Sequence, residues 1–159
     1  MKRREFITLI CGAAAGWPIA AHGQKARMPV LGFLGSASET DYATTTAALR
    51  RGLNEAGYVE KQNLLIDYRW ADFRYERLPA LAAELVKRPV DAIFATGSVV
   101  SALAAKAATT SIPIVFANGS DPVEYGLVAS LNRPGGNVTG ISFINSQLGP
   151  KRAAPAAEP

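Results

Sequence analysis

Short apolar runs alternate with amphipathic stripes along most of the chain, from Pro29 to Phe143. Five runs have the length and character of buried strands. They comprise residues 30–34, 64–70, 90–95, 114–117 and 138–143. Because a helical segment follows each of the first four runs and the connections are short, the pattern predicts a three-layer α/β unit with a mostly parallel five-stranded sheet.

Four helices are expected between these strands. Apolar side chains recur at helical spacing in residues 42–56 and 78–85, and an alanine-rich stretch covers residues 99–108. Gly57 supplies a left-handed stop for the first helix, and Pro79 fits the first turn of the second, where no backbone donor is lost. A fourth, short helix is predicted over residues 123–131.

Residues 1–23 have the pattern of a signal peptide that is removed after export. Lys2, Arg3 and Arg4 form a basic head, an uncharged apolar stretch follows, and small residues precede a cleavage site near Gly23. The Arg-Arg-x-Phe-Ile order is similar to a twin-arginine signal, so the export machinery is a predicted partner. A membrane anchor or a buried helix is the alternative. Pro18 argues against it, as does a stretch shorter than the roughly 20 apolar residues that a span needs.

Beyond residue 23 the composition disfavours several classes of chemistry. That segment contains 14 basic and 12 acidic residues, so no nucleic-acid partner is expected. The only cysteine is Cys11 and the only histidine is His22, which argues against thiol catalysis, zinc–thiolate sites and Ser-His-Asp triads. Neither a dinucleotide fingerprint nor a phosphate loop occurs. We therefore predict no enzyme activity, no catalytic residue, no metal ligand and no cofactor.

Three loops rich in hydroxyl groups follow predicted strands. In a parallel sheet such loops meet at the carboxyl edge of the strands, where helix N-termini point and ligands bind. The candidate binding residues are Ser36, Ser38, Thr96, Ser98, Ser120 and Asp121. Hydroxyl and backbone N–H groups suit a carboxylate, and Asp121 could neutralise an ammonium group. The same residue types are also ordinary helix caps and turn formers, so that interpretation stays open.

Several segments together resemble one family. They are LNEAGYVE at 53–60, RLPALAAEL at 77–85, IPIVFA at 112–117, SDPV at 120–123, GLVASL at 126–131 and RPGGNVTG at 133–140. With the twin-arginine head, they resemble bacterial ABC-transporter substrate-binding proteins of the tryptophan/tyrosine-uptake type. The resemblance covers residues 1–152.

The resemblance implies a type I periplasmic-binding fold, of which this chain would form one half. It further implies a non-catalytic receptor in the periplasm that captures a small solute, such as an amino acid or a related carboxylate. The receptor would deliver the solute to an ABC permease in the inner membrane. The six candidate residues would then lie on the cleft-facing loops of the first lobe.

The domain prediction follows from this resemblance. Residues 24–145 would form the first α/β lobe, and residues 146–159 the start of the crossover to a missing second lobe, ending in a disordered Ala/Pro tail. Two alternatives remain. One is an exported flavodoxin-like or hydrolase-like enzyme. The other is the ligand-sensing lobe of a transcription regulator, although an export signal stands where its DNA-binding segment would be.

Overall fold

The computed structural model describes residues 27–143, which fold into a single α/β unit. Its elements follow the predicted alternation, with one helix missing. They are β1 (Val30–Gly35), α1 (Ala43–Glu55), β2 (Leu65–Trp70), a 3₁₀ turn (Tyr75–Arg77), α2 (Leu78–Val86), β3 (Ala92–Thr96), α3 (Val99–Ala108), β4 (Ile114–Asn118) and β5 (Val138–Ser142).

The five strands form one parallel sheet in the order β2-β1-β3-β4-β5. This confirms the predicted fold class. The chain leaves β1 towards one edge of the sheet and returns to its other side at β3, so the direction of winding reverses between β1 and β3. In open α/β sheets a crevice forms at such a reversal, outside the carboxyl ends of the strands.

The core lies on the side of the sheet that α2 and α3 cover. Residues that face one another across paired strands point to the same side, and on this side the strand residues are buried: Leu34, Ile93, Ala95, Ile114, Phe116 and Val138. The apolar stripe of α2 and the alanine face of α3 pack against them. Removal of apolar surface from water is the main favourable term in folding, so this contact forms the hydrophobic core.

Helix α1 lies on the opposite side, over β1 and β2. An aromatic cluster fills the space beneath it, in which Phe33 contacts Tyr68, Trp70 and Phe94 at ring-centroid distances of 5.3, 4.7 and 5.6 Å. The Arg50 guanidinium lies 5.5 Å from the centre of the Tyr68 ring. This side of β4 and β5 is left open, because Val115 is 37% exposed and Ile141 61% exposed.

The predicted helix over residues 123–131 is wrong. Turns connect β4 to β5 instead, and the N–H groups of Leu127 and Val128 both donate to the Pro122 carbonyl, at 2.8 and 3.1 Å. Gly126 has a φ of 65°, and this left-handed residue ends the first turn before a helix can extend. Leu127 and Val128 are nevertheless buried in the core, and Lys106 Nζ donates to the Gly126 and Leu127 carbonyls.

The predicted signal peptide (1–23) and the predicted crossover and tail (146–159) lie outside the described residues. Both stay predictions, as do the boundaries of the lobe between them. Among residues 27–143, no helix combines the length and the apolar character required to cross a bilayer.

Candidate functional site

The three predicted loops meet at the carboxyl edge of the sheet, as the parallel topology requires. The strand register places Gly35 of β1 beside Thr96 of β3, and Thr96 in turn beside Ala117 of β4. Two backbone bonds link the loops further, since Ser36 N donates to Thr96 O and Gly97 N donates to Ala117 O, both at 3.4 Å. The loops after β1, β3 and β4 therefore form one continuous rim.

The hydroxyl groups of the first loop mainly make contacts within the loop itself. Ser36 is buried, with 3% of its surface exposed, and its Oγ lies 3.5 Å from the Tyr42 hydroxyl. The Ser38 hydroxyl donates to the Asp41 carboxylate and accepts from the Asp41 N–H. These bonds hold the chain on its way from β1 into α1.

The second loop connects β3 to α3 through a glycine. The Thr96 hydroxyl donates to the Ala117 carbonyl at 3.0 Å, which ties β3 to β4. Gly97 has a φ of 93°, and a Cβ there would overlap the Tyr42 hydroxyl. Ser98 caps α3, because its Oγ accepts from the Val100 N–H at 3.2 Å. Only glycine fits at position 97, for both conformational and steric reasons.

The third loop is built around two side chains that accept backbone bonds. Asn118 Oδ1 accepts from the Ser120 N–H at 3.1 Å, and Asp121 Oδ1 accepts from the N–H groups of Val123 and Glu124. The Ser142 hydroxyl on β5 donates to the Ser120 carbonyl at 2.6 Å. Asp121 therefore acts as a turn former in this structure.

A cavity of about 510 Å³ opens beside this rim, between α1 and the uncovered part of the sheet. Its volume is in the range of small-molecule sites. It is lined by side chains without formal charge, namely Tyr42, Thr44, Thr45, Ala48, Leu49, Phe94, Thr96, Gly97, Ala117, Asn118, Gly119 and Phe143. The lining combines polar side chains, such as those of Thr44, Thr45 and Asn118, with apolar surface from Leu49, Phe94 and Phe143.

Of the six residues predicted from the sequence, Thr96 lines this cavity. The other five lie on the same rim but form caps, turns or the floor beneath it. The sequence analysis missed the wall formed by the start of α1, above all Thr44, Thr45 and the preceding Tyr42. A run of three threonines directly after the first loop was the available signal.

A charged pair lies on the outer flank of α1. Arg50 Nε donates to Glu60 Oε2 at 2.6 Å. Burial acts to lower the pKa of Arg50, but this bond and the electrostatic effects of Tyr68 and Glu60 together raise it. Burial raises the pKa of Tyr68 beneath this pair, and the Glu60 carboxylate adds to the effect. The Arg50 guanidinium thus connects α1 to the Tyr68 ring on β2 and to the Glu60 carboxylate. Within residues 27–143, no cluster of three or more histidine, cysteine, aspartate or glutamate residues could hold a metal ion.

Comparison with known proteins identifies the family. The sequence model of the family described as ABC transporter substrate binding protein matches residues 37–152. The chain belongs to this family. The predicted family resemblance is thereby confirmed. A curated relative, the tyrosine-binding protein of Clostridioides difficile, is 41% identical over 92 residues, which is 58% of this chain and 26% of the relative.

Solved structures of related proteins share the fold of this chain. A conserved domain protein from Vibrio cholerae superposes with a TM-score of 0.68 at 32% identity, over 73% of this chain and 39% of that one. The ligand-free, open form of a substrate-binding protein with adhesive properties from Clostridium difficile superposes with a TM-score of 0.69 at 31% identity. The match covers 77% of this chain and 42% of that protein. An ABC domain from Streptococcus pneumonia in complex with L-Trp superposes with a TM-score of 0.66 at 27% identity. The match covers 72% of this chain and 38% of that domain. The chain thus spans about a quarter of its curated relative and about two-fifths of these structures.

Proposed function

We propose that this substrate-binding protein captures a small solute, an amino acid or a related carboxylate, at the carboxyl edge of its sheet. The observation that carries the proposal is the uncharged cavity beside the point where the winding of the sheet reverses. Its apolar surface suits a hydrocarbon or aromatic side group, and the Thr44 and Thr45 hydroxyl groups in its wall suit a carboxylate. Two relatives support the ligand class, since one is named for tyrosine and another holds L-Trp.

We extend the proposal to the transport system that the family name implies. The bound solute would pass to an ABC permease in the inner membrane. The chain would reach the periplasm through its twin-arginine-type signal, which would be removed near Gly23. The twin-arginine head and the family membership support this part. Fractionation of cells that express the chain tests it, and a protein retained in the cytoplasm would contradict it.

The described residues supply one wall of a binding cleft. Tight capture of a solute in hinged receptors requires closure of two walls around it. A protein made of these 159 residues alone should therefore bind weakly, with a Kd of about 1 mM or above, which corresponds to roughly −4 kcal/mol. Micromolar binding by the isolated chain would contradict the one-wall interpretation.

Nuclear magnetic resonance titration of the isotope-labelled chain tests the site. We expect L-phenylalanine and L-leucine to shift the backbone amide signals of Gly97 and Gly119 in a saturable way. The amides of Leu53 and Ala92, which border a different cavity at the amino edge, serve as the internal control. If none of the amino acids moves the Gly97 and Gly119 signals, or if both edges respond equally, the proposed site is wrong.

A further inference from the structure

Tyr42 is one of three aromatic residues in the cavity wall, and its side chain is held by contacts on two sides. Its ring stacks on Trp70, with the centroids 5.9 Å apart and the planes inclined by 18°. Its hydroxyl lies 3.5 Å from Ser36 Oγ and directly above Gly97, where a side chain would collide with it. These contacts fix the ring from one face and from its outer end.

The backbone of Tyr42 is fixed as well. Its N–H donates to the Ser38 carbonyl at 3.2 Å, and its carbonyl accepts from the Thr46 N–H at 2.8 Å and from the Thr46 hydroxyl. The ring is half-buried, and its remaining surface forms part of the cavity wall. A side chain that is already immobile loses little conformational entropy when a ligand packs against it.

We infer that Tyr42 is a specificity-determining residue, whose fixed ring provides a stacking surface for a flat side group of the solute. Further apolar surface comes from Phe94 and from Phe143, which is 56% exposed. Branched aliphatic groups also fit an apolar wall, but they gain nothing from ring stacking. This inference rests on the proposed function, because it concerns the same cavity.

The test compares two variants with opposite expectations. Tyr42→Leu keeps apolar volume and removes the flat ring, whereas Tyr42→Phe keeps the ring and removes the hydroxyl. Ring stacking predicts that Tyr42→Leu raises the Kd for L-phenylalanine by about threefold to tenfold and that for L-leucine by less than about twofold. Tyr42→Phe should leave the ratio of the two Kd values unchanged. Equal losses for both amino acids in Tyr42→Leu, or no loss, would overturn the inference.

A second measurement needs no variant and covers the case in which Tyr42→Leu fails to fold. Intermolecular nuclear Overhauser effects should connect the Tyr42 ring protons with the ring protons of bound L-phenylalanine in the wild-type chain. If Gly97 and Gly119 shift on titration while these effects are absent, the role of Tyr42 is wrong and the site stands. If neither Gly97 nor Gly119 responds to any amino acid, the proposed function fails and this inference fails with it.

Discussion

The two sides of the sheet differ in how completely they are covered. On the side of α2 and α3, strand residues such as Ile93 and Ile114 are fully buried. On the side of α1, an aromatic cluster is covered over β1 and β2, but Val115 and Ile141 remain exposed on β4 and β5. The cavity lies where the covered part of this second side meets the open part.

This difference separates stability from binding. The closed side provides a continuous apolar core, which is where large losses of stability originate. The half-open side leaves apolar surface and fixed aromatic rings available for contact with another molecule. A substitution on the closed side should therefore act on the free energy of unfolding, and one on the other side mainly on binding and on the position of α1.

The largest expected effect comes from a matched pair of isoleucines. Ile114 points into the closed side and is 0% exposed, whereas Ile141 on the adjacent strand points to the open side and is 61% exposed. Ile114→Ala should lower the free energy of unfolding by about 2–5 kcal/mol, because it leaves a cavity in the core. Ile141→Ala should lower it by less than about 1 kcal/mol.

Urea unfolding followed by circular dichroism measures both values under the same conditions. Similar losses in the two variants would show that the side of Ile141 is covered in solution, and the contrast between the two sides would then be wrong.

A smaller effect is expected from two glycines near α1. Gly97→Ala would place a Cβ against the Tyr42 hydroxyl at a φ of 93°, and should cost about 1–3 kcal/mol of stability. Gly52→Ala lies within α1, where an added Cβ meets nothing within 4 Å, and should increase stability by about 0.5–1 kcal/mol. Thermal unfolding with calorimetry gives both changes. A neutral Gly97→Ala variant would mean that Tyr42 does not hold its position above this loop.

The smallest effect concerns the Tyr68 phenol beneath α1. Because burial raises its pKa above the usual 10.0 in the folded protein, the unfolded chain loses this proton first as the pH rises. The stabilisation that the neutral Tyr68 phenol contributes is therefore complete below pH 10. It is lost as the pH rises through the pKa that this phenol has in the folded protein. Tyr68→Phe, which cannot ionise, should lose less stability than wild type as the pH rises above 10.0 in urea unfolding experiments. If the free energy of unfolding falls equally with pH in wild type and Tyr68→Phe, the Tyr68 ring is not buried in solution.

Most of the sheet could be predicted from the sequence because β1, β3 and β4 carry apolar residues on both of their sides. Continuous apolar runs marked β1, β3 and β4, and the alternating pattern of residues 64–70 marked β2. The helix predicted over residues 123–131 does not form, although its apolar residues have a suitable spacing. Two of them, Leu127 and Val128, are buried in the core. The conformation of Gly126 decides against the helix, and a glycine in a sequence does not reveal the sign of its φ.

The candidate site could be predicted only in its location. Topology brings the ends of β1, β3 and β4 together whatever their side chains are, so the rim followed from the strand pattern. The cavity wall depends on how α1 crosses the sheet, which spacing along the chain does not specify. Tyr42 illustrates the limit, because the same residue fits an apolar stripe and a binding wall until its contacts with Trp70 and Gly97 are known.

The placement of β1 beside β3 has a consequence for the time course of folding. The Val30 N–H donates to Asp91 Oδ2 at the base of this pair, across a separation of 61 residues. Two strands so far apart can pair only after the whole intervening segment, α1-β2-α2, has been synthesised and has formed its loop. Pairings of this length give a high contact order, which slows folding. The chain therefore has an extended interval in which β1 is complete but has no partner on its inner edge.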